Sequence, residues 1–112
     1  MPSIAARLYV GHVSSVPTTI QSPAYVDKVL ADTRDSLTRF FGGCTAWEGR
    51  GRFVGATGSY DEPCTVVETV LEDNKANRDC IRVIARRVAG LLSQECVLVT
   101  FQPVEAEFIT AE

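Results

Sequence analysis

The strongest constraint in this sequence is the order in which its apolar patterns change period. From Arg7 to His12, the residues Arg7, Tyr9 and Gly11 alternate with Leu8, Val10 and His12, the period of two that marks a half-buried strand. From Pro23 to Phe41 the period lengthens, and Val26, Val29, Leu30, Thr33, Leu37 and Phe40 form one helical stripe. Ser22 supplies an N-cap and Pro23 a first-turn proline. Gly42-Gly43 follows, where the chain is free to take the positive φ that ends a helix.

Two strand-like runs come next. Thr45 to Val54 places Trp47, Gly49, Gly51 and Phe53 on one side and Ala46, Glu48, Arg50 and Arg52 on the other. Thr65 to Leu71 is β-branched, with Glu68 at its centre. Between them, Gly55 to Pro63 is rich in turn formers and reads as longer than a two-residue hairpin turn. Asp73 or Asn74 caps a second helix, Lys75 to Leu92, whose stripe is Cys80, Ile81, Ile84, Val88, Leu91 and Leu92. Arg82, Arg86 and Arg87 lie off that stripe, facing solvent and suiting the helix dipole. Cys96 to Phe101 is apolar at nearly every position, the pattern of a strand buried on both faces. Pro103 ends it, after which Val104, Ala106 and Phe108 alternate with Glu105 and Glu107 and predict a short fifth, C-terminal strand. Val13 to Gln21 has no period and reads as a loop.

The resulting order, β-α-β-β-α-β, is the split βαβ pattern of ferredoxin-like α+β domains, in which two helices cover one face of a four-stranded antiparallel sheet. A chain of 112 residues accommodates a single such domain, 1–112, around one modest core. With 46 % hydrophobic and 22 % charged residues, the composition is that of a soluble globular protein. No stretch approaches the roughly 20 apolar residues of a membrane span. Met1 to Leu8 lacks the apolar centre of a signal peptide, so a cytoplasmic location is expected.

A net charge of -3 argues against phosphate-driven binding of nucleic acid. Cys44, Cys64, Cys80 and Cys96 form no C-x-x-C pair and His12 is the single histidine, so neither a metal nor a cofactor is expected and the thiols read as reduced and mostly buried. Gly49 and Gly51 would open a G-x-G-x-x-G loop, but Val54 stands at its last position. No motif assigns an activity. The chain reads as a binding protein before it reads as an enzyme.

Any site should lie on the sheet face that the helices leave open. If Leu8 and Val10 point at the helices, Arg7 and Tyr9 point away, and the same reasoning assigns Glu48, Arg50, Arg52 and Glu68 to the open side. Tyr9 and Glu68 lie on neighbouring strands and should approach each other. With His12 at the end of the first strand, these residues make a candidate ligand pocket; cross-strand ion pairing on a solvated or oligomeric face is the alternative. Leu8-Tyr9-Val10-Gly11 and Gly49-Arg50-Gly51-Arg52-Phe53-Val54 resemble the two motifs of the RNA-recognition family, which stacks bases on sheet aromatics. The second string departs from that family, with Arg52 where an aromatic belongs and a position before strand 3.

Over most of its length the chain resembles a family of small bacterial and phage-borne proteins with no established activity. The resemblance rests on Arg7-Leu8-Tyr9-Val10-Gly11, Glu48-Gly49-Arg50-Gly51 and Gln94-Glu95-Cys96-Val97-Leu98-Val99. It implies a ferredoxin-like fold and no site residues. Three functions are compatible: an interaction protein that homo-oligomerises through its open sheet face, a small-ligand binder or small enzyme of the dimeric α+β barrel kind, and a phage-type inhibitor of a host protein.

Overall fold

A computed structural model of the chain describes residues 2–13, 21–56 and 58–111. Both helices begin on the signals that their sequence carries, and the first also ends on one. In α1 (Pro23–Phe41), the Ser22 side chain accepts a hydrogen bond from the Tyr25 N–H, and Gly42 closes the helix at φ 92° with its N–H on the Thr38 carbonyl. In α2 (Lys75–Leu91), Asn74 is the cap and accepts from Asn77 N–H, while Asp73 is taken by an ion pair with Arg78 at 2.7 Å. The guanidinium of Arg78 holds the Asp73 carboxyl below the usual carboxylate range.

The strands are β1 (Ser3–Gly11), β2 (Thr45–Gly55), β3 (Gly58–Glu72) and β4 (Leu98–Val104), so the predicted element order is the observed one. The protein is α+β, with an antiparallel sheet in the order β2-β3-β1-β4. Most of the predicted loop from Val13 to Gln21 lies outside the described residues.

The central strand organises the core. Ile4, Ala6, Leu8 and Val10 of β1 are each 0 % exposed and pack with Val67 and Leu71 of β3, Val29 and Leu37 of α1, and Ile81 and Val88 of α2. Each large apolar side chain removed from water in this way contributes roughly 1.5–3 kcal/mol.

Four expectations are corrected. The most apolar strand is not buried on both faces: β4 lies at the sheet edge, Val99 and Phe101 face the core, Leu98 is 51 % exposed, and Cys96 precedes the strand. Because it is an edge, β4 also tolerates Pro103, which lies opposite Ile4 and does not end it. The connection after β2 is no long loop, since pairing continues to Gly55 with Gly58. Pro63 fits within β3 because its carbonyl, which accepts from His12 N–H, and its missing N–H face the side where β1 has ended.

Residues 105–111, where alternation predicts a further strand, carry no regular secondary structure. At the other end of the molecule β3 outgrows its neighbour. It pairs with β1 only from Cys64 onward, so beyond that point Arg50–Gly55 and residues 58–63 form a two-stranded arm, and the molecule measures 52 × 25 × 22 Å.

Replacing Gly42 by Ala forces a side chain into the left-handed region and should cost about 1–2 kcal/mol. A Cβ at either Gly42 or Gly43 meets nothing, and only Gly42 has a positive φ. Urea unfolding should therefore show a clear loss of midpoint for Gly42→Ala and a far smaller one for Gly43→Ala.

Candidate ligand cleft on the open sheet face

Strand parity decides which side chains share the open face. With Ile4, Ala6, Leu8 and Val10 under the helices, Arg7, Tyr9 and Gly11 face the other way. Across β3 their partners are Glu68, Val66 and Cys64, and across β2 Thr45, Trp47 and Gly49 continue the same rows. Leu98 of β4 lies opposite Tyr9. Of the predicted site residues, Tyr9 and Glu68 are therefore on this face.

Glu48, Arg50 and Arg52 are on the opposite side of β2, a correction of one residue in register. They lie opposite Thr65, Pro63 and Asp61. Trp47 and Phe53 share the open face by alternation along β2, Trp47 lying opposite Val66, while Ala46 of the other face packs against the core. Arg50 and Arg52 share one partner, Asp61, at 2.7 and 3.3 Å.

His12 is also apart from the open face, and it forms a chain with Thr65 and Glu48. The Thr65 hydroxyl donates to Glu48 Oε1 at 3.1 Å and lies 2.7 Å from His12 Nε2. Having one proton, which it gives to the carboxylate, Thr65 accepts from His12, so the imidazole carries its proton on Nε2.

On the open face itself, Arg7 is the hub between Tyr9 and Glu68. Its Nε donates to Glu68 Oε2 at 2.6 Å, and its guanidinium lies 5.7 Å from the Trp47 ring centre. Hydrogen bonds to Glu68 and Tyr9 push the Arg7 pKa further up. Arg7 is thus a fixed cation, and Glu68 is committed to it.

At the end of β1 the face deepens into a cleft of about 140 Å³ lined by Tyr9, Gly11, Phe53, Glu62, Cys96 and Leu98, together with Val54, Gln94 and Glu95. Glu62 is its least expected component. The residue is 2 % exposed, and its carboxylate lies over Gly11, so close that a Cβ there would be 2.0 Å from Oε1. Its Oε2 accepts from Val13 N–H at 2.9 Å. Burial pushes the Glu62 pKa up, against the opposing pull of that N–H and of His12. Behind it, burial and the carboxylates of Glu62 and Glu48 push the Cys64 thiol up.

Two ties shape the cleft. Gln94 donates to the carbonyls of Gly11 and Val13, joining the end of β1 to the segment before β4. Glu95 accepts from Ala56 N–H at 3.0 Å, joining that segment to the tip of the arm. The arm therefore bends back over the open face and brings Phe53 to the cleft wall. Phe53 covers Gly51 on its own strand, where a Cβ would meet the ring at 2.3 Å.

A broader groove between α1 and α2 has a volume of about 230 Å³. Its buried polar residue, Thr33, is already bonded to the Val29 carbonyl at 2.7 Å, and its charged lining residues, Asp32, Asp35, Arg39 and Arg87, are all exposed, so it holds no desolvated charge. The sheet cleft combines aromatic walls with a desolvated carboxylate, a set suited to holding a small ligand with positive charge or donor groups. Sequence reasoning missed Glu62, Phe53 and Gln94. Glu62 sits in a stretch that reads as a turn, and only the length of β3 brings it over Gly11.

The sequence matches no family model and no curated protein. In three dimensions the chain is similar to a phage SAM lyase in complex with S-methyl-5′-thioadenosine, at 14 % identity over 96 % of this chain and 93 % of that one, with a TM-score of 0.67. The apo state of a phage SAM lyase is similar at 17 % identity over 97 % and 94 % of the two chains, with a TM-score of 0.58. CutA of Pyrococcus horikoshii follows at 10 % identity over 94 % and 87 %, with a TM-score of 0.54. At these identities the likeness is one of fold.

Two measurements check the Glu62 geometry. Gly11→Ala should destabilise the protein by about 1–3 kcal/mol through overpacking, and by much less in a Glu62→Ala background; additive effects would mean that the two groups do not meet. Because the folded pKa of Glu62 is raised, the folded state binds more protons than the unfolded one just above the ordinary carboxylate range. Stability falls as pH rises through that window. Glu62→Gln should remove this descent and raise the thermal midpoint at pH 8 by a few degrees.

Proposed function

We propose that this protein binds a small cationic or amine-bearing ligand in the open-face cleft, and that an adenosyl sulfonium of the S-adenosylmethionine kind is the ligand class to try first. The observation that carries this reading is the Glu62 carboxylate, held out of water beneath aromatic walls. A buried anion is costly until a positive partner reaches it, and a sulfonium supplies that charge without requiring a proton. The likeness in fold to a phage SAM lyase holding S-methyl-5′-thioadenosine supports the choice of class. A cleft of about 140 Å³ is smaller than the roughly 300 Å³ or more usual for a whole drug-sized ligand. It would enclose one ring or the sulfonium arm, with the remainder lying along Tyr9 and Leu98.

A second reading is self-association through the open face. Trp47 and Leu98, 42 % and 51 % exposed, support it, and a second copy seated there would cover the cleft.

Isothermal titration with S-adenosylmethionine and with S-methyl-5′-thioadenosine tests the proposal. Binding of either ligand is expected, weakened at least about tenfold (about 1.4 kcal/mol) by Glu62→Gln for the sulfonium and by Phe53→Ala for both. Chromatography of the same mixtures for newly formed S-methyl-5′-thioadenosine separates an enzyme from a binder. Absence of heat for both ligands at millimolar concentration would rule this ligand class out.

A further inference from the structure

Two parts of this chain are complementary and lie too far apart to meet within one molecule. The first is the outer edge of β2, which has no partner strand among the described residues, leaving a row of backbone donors and acceptors open to another strand. One side of this edge carries Arg50 and Arg52, with side chains 65 % and 79 % exposed and a single carboxylate, Asp61, between them. The other side carries Gly49 and Gly51. Around Gly49 the nearest group to an added Cβ is the Cys64 sulfur at 3.5 Å, so the edge is open there.

The second part is the tail, 105–111. It keeps a strand's alternation without being a strand: Glu105 and Glu107 alternate with Ala106 and Phe108. Phe108 is 96 % and Ile109 82 % exposed. Laid antiparallel to β2 with Glu105 opposite Arg52, the tail brings Glu107 opposite Arg50, Ala106 opposite Gly51 and Phe108 opposite Gly49. Carboxylates then meet guanidinium groups on one face, and on the other a phenyl ring covers a glycine that has no side chain of its own, both favourable cross-strand pairings.

The tail cannot reach this edge in its own molecule. Val104 is level with Ser3 and hence with Glu72, whereas Arg52 is level with Asp61. That span of β3 is roughly 36 Å at the usual rise of a strand, and Glu107 extends only about 10 Å beyond Val104. The outer edge of β4 is a poorer acceptor, because Pro103 removes one of its donors.

We propose that the tail of one copy adds as a strand to the β2 edge of a second copy. The contact is head-to-tail, so it builds either a closed ring or a filament, according to the rotation between copies. The arginines that would otherwise guard an exposed edge become the recognition element for an acidic strand.

Native mass spectrometry and light scattering of the full chain test this, beside a variant ending at Val104 and the charge reversals Arg50→Glu/Arg52→Glu and Glu105→Arg/Glu107→Arg. The full chain should assemble. The truncated chain should be monomeric with an unchanged circular dichroism spectrum, and each reversal alone should weaken assembly at least tenfold. Mixing the two reversed variants should restore it, since each then offers an edge matched to the other's tail. If truncation disturbs the fold, the mixing experiment decides. A monomeric full chain, or an assembly that survives both truncation and charge reversal, would overturn the proposal.

Discussion

Everything on the open face depends on the register of β1 between its two neighbours. Ile4, Ala6, Leu8 and Val10 are wholly withdrawn from water on the helix side, and a slip of one residue would exchange them for Ser3, Ala5, Arg7 and Tyr9. The loss of that burial, together with the cost of placing Arg7 in the core, leaves a single acceptable pairing. The open face is therefore a consequence of the core. Arg7 comes level with Glu68, Tyr9 with Val66, and Gly11 with Cys64, just short of Glu62.

Gly11 gives that end of the sheet its chemistry. Because it has no side chain, the Glu62 carboxylate can lie across the strand and escape solvent. A carboxylate so placed works against stability, since burial favours its neutral form. Such a liability is commonly found where a protein has a use for the group. Glu68 shows the contrast. It is on the same face, but its carboxylate is already spent on Arg7 at 2.6 Å, which makes Glu68 a structural partner and Glu62 the available one.

The sheet has unequal ends as well as unequal faces. At the end of β1 where α1 departs, the arm of β2 and β3 continues alone and is tied back through Ala56 and Glu95. At the opposite end the chain leaves β4 as an acidic, apolar tail with no regular structure. Among the described residues, these extremities carry the most exposed large apolar groups, among them Val54 at 87 % and Phe108 at 96 %. They also carry opposite charges, Arg50 and Arg52 at one and Glu105 and Glu107 at the other.

The amino-acid sequence by itself determined the two helices, the caps of the first at Ser22 and Gly42, the element order and the inward face of β1, because each is written in local periodicity or in a residue with one conformational use; between Asp73 and Asn74 as the cap of the second it left the choice open. Tyr9 and Glu68 were legible as open-face residues for the same reason. The parity of β2 was not, since Gly49 and Gly51 interrupt its pattern, and Trp47 and Phe53 look like core residues while serving the other face. Only the tertiary structure decided that the apolar run of β4 is an edge, that His12 bonds Thr65 on the side away from the open face, and that Glu62 reaches over Gly11. Those facts depend on which strands become neighbours and how far each extends, and such long-range pairings are set by the packing of the whole sheet, not by any one segment.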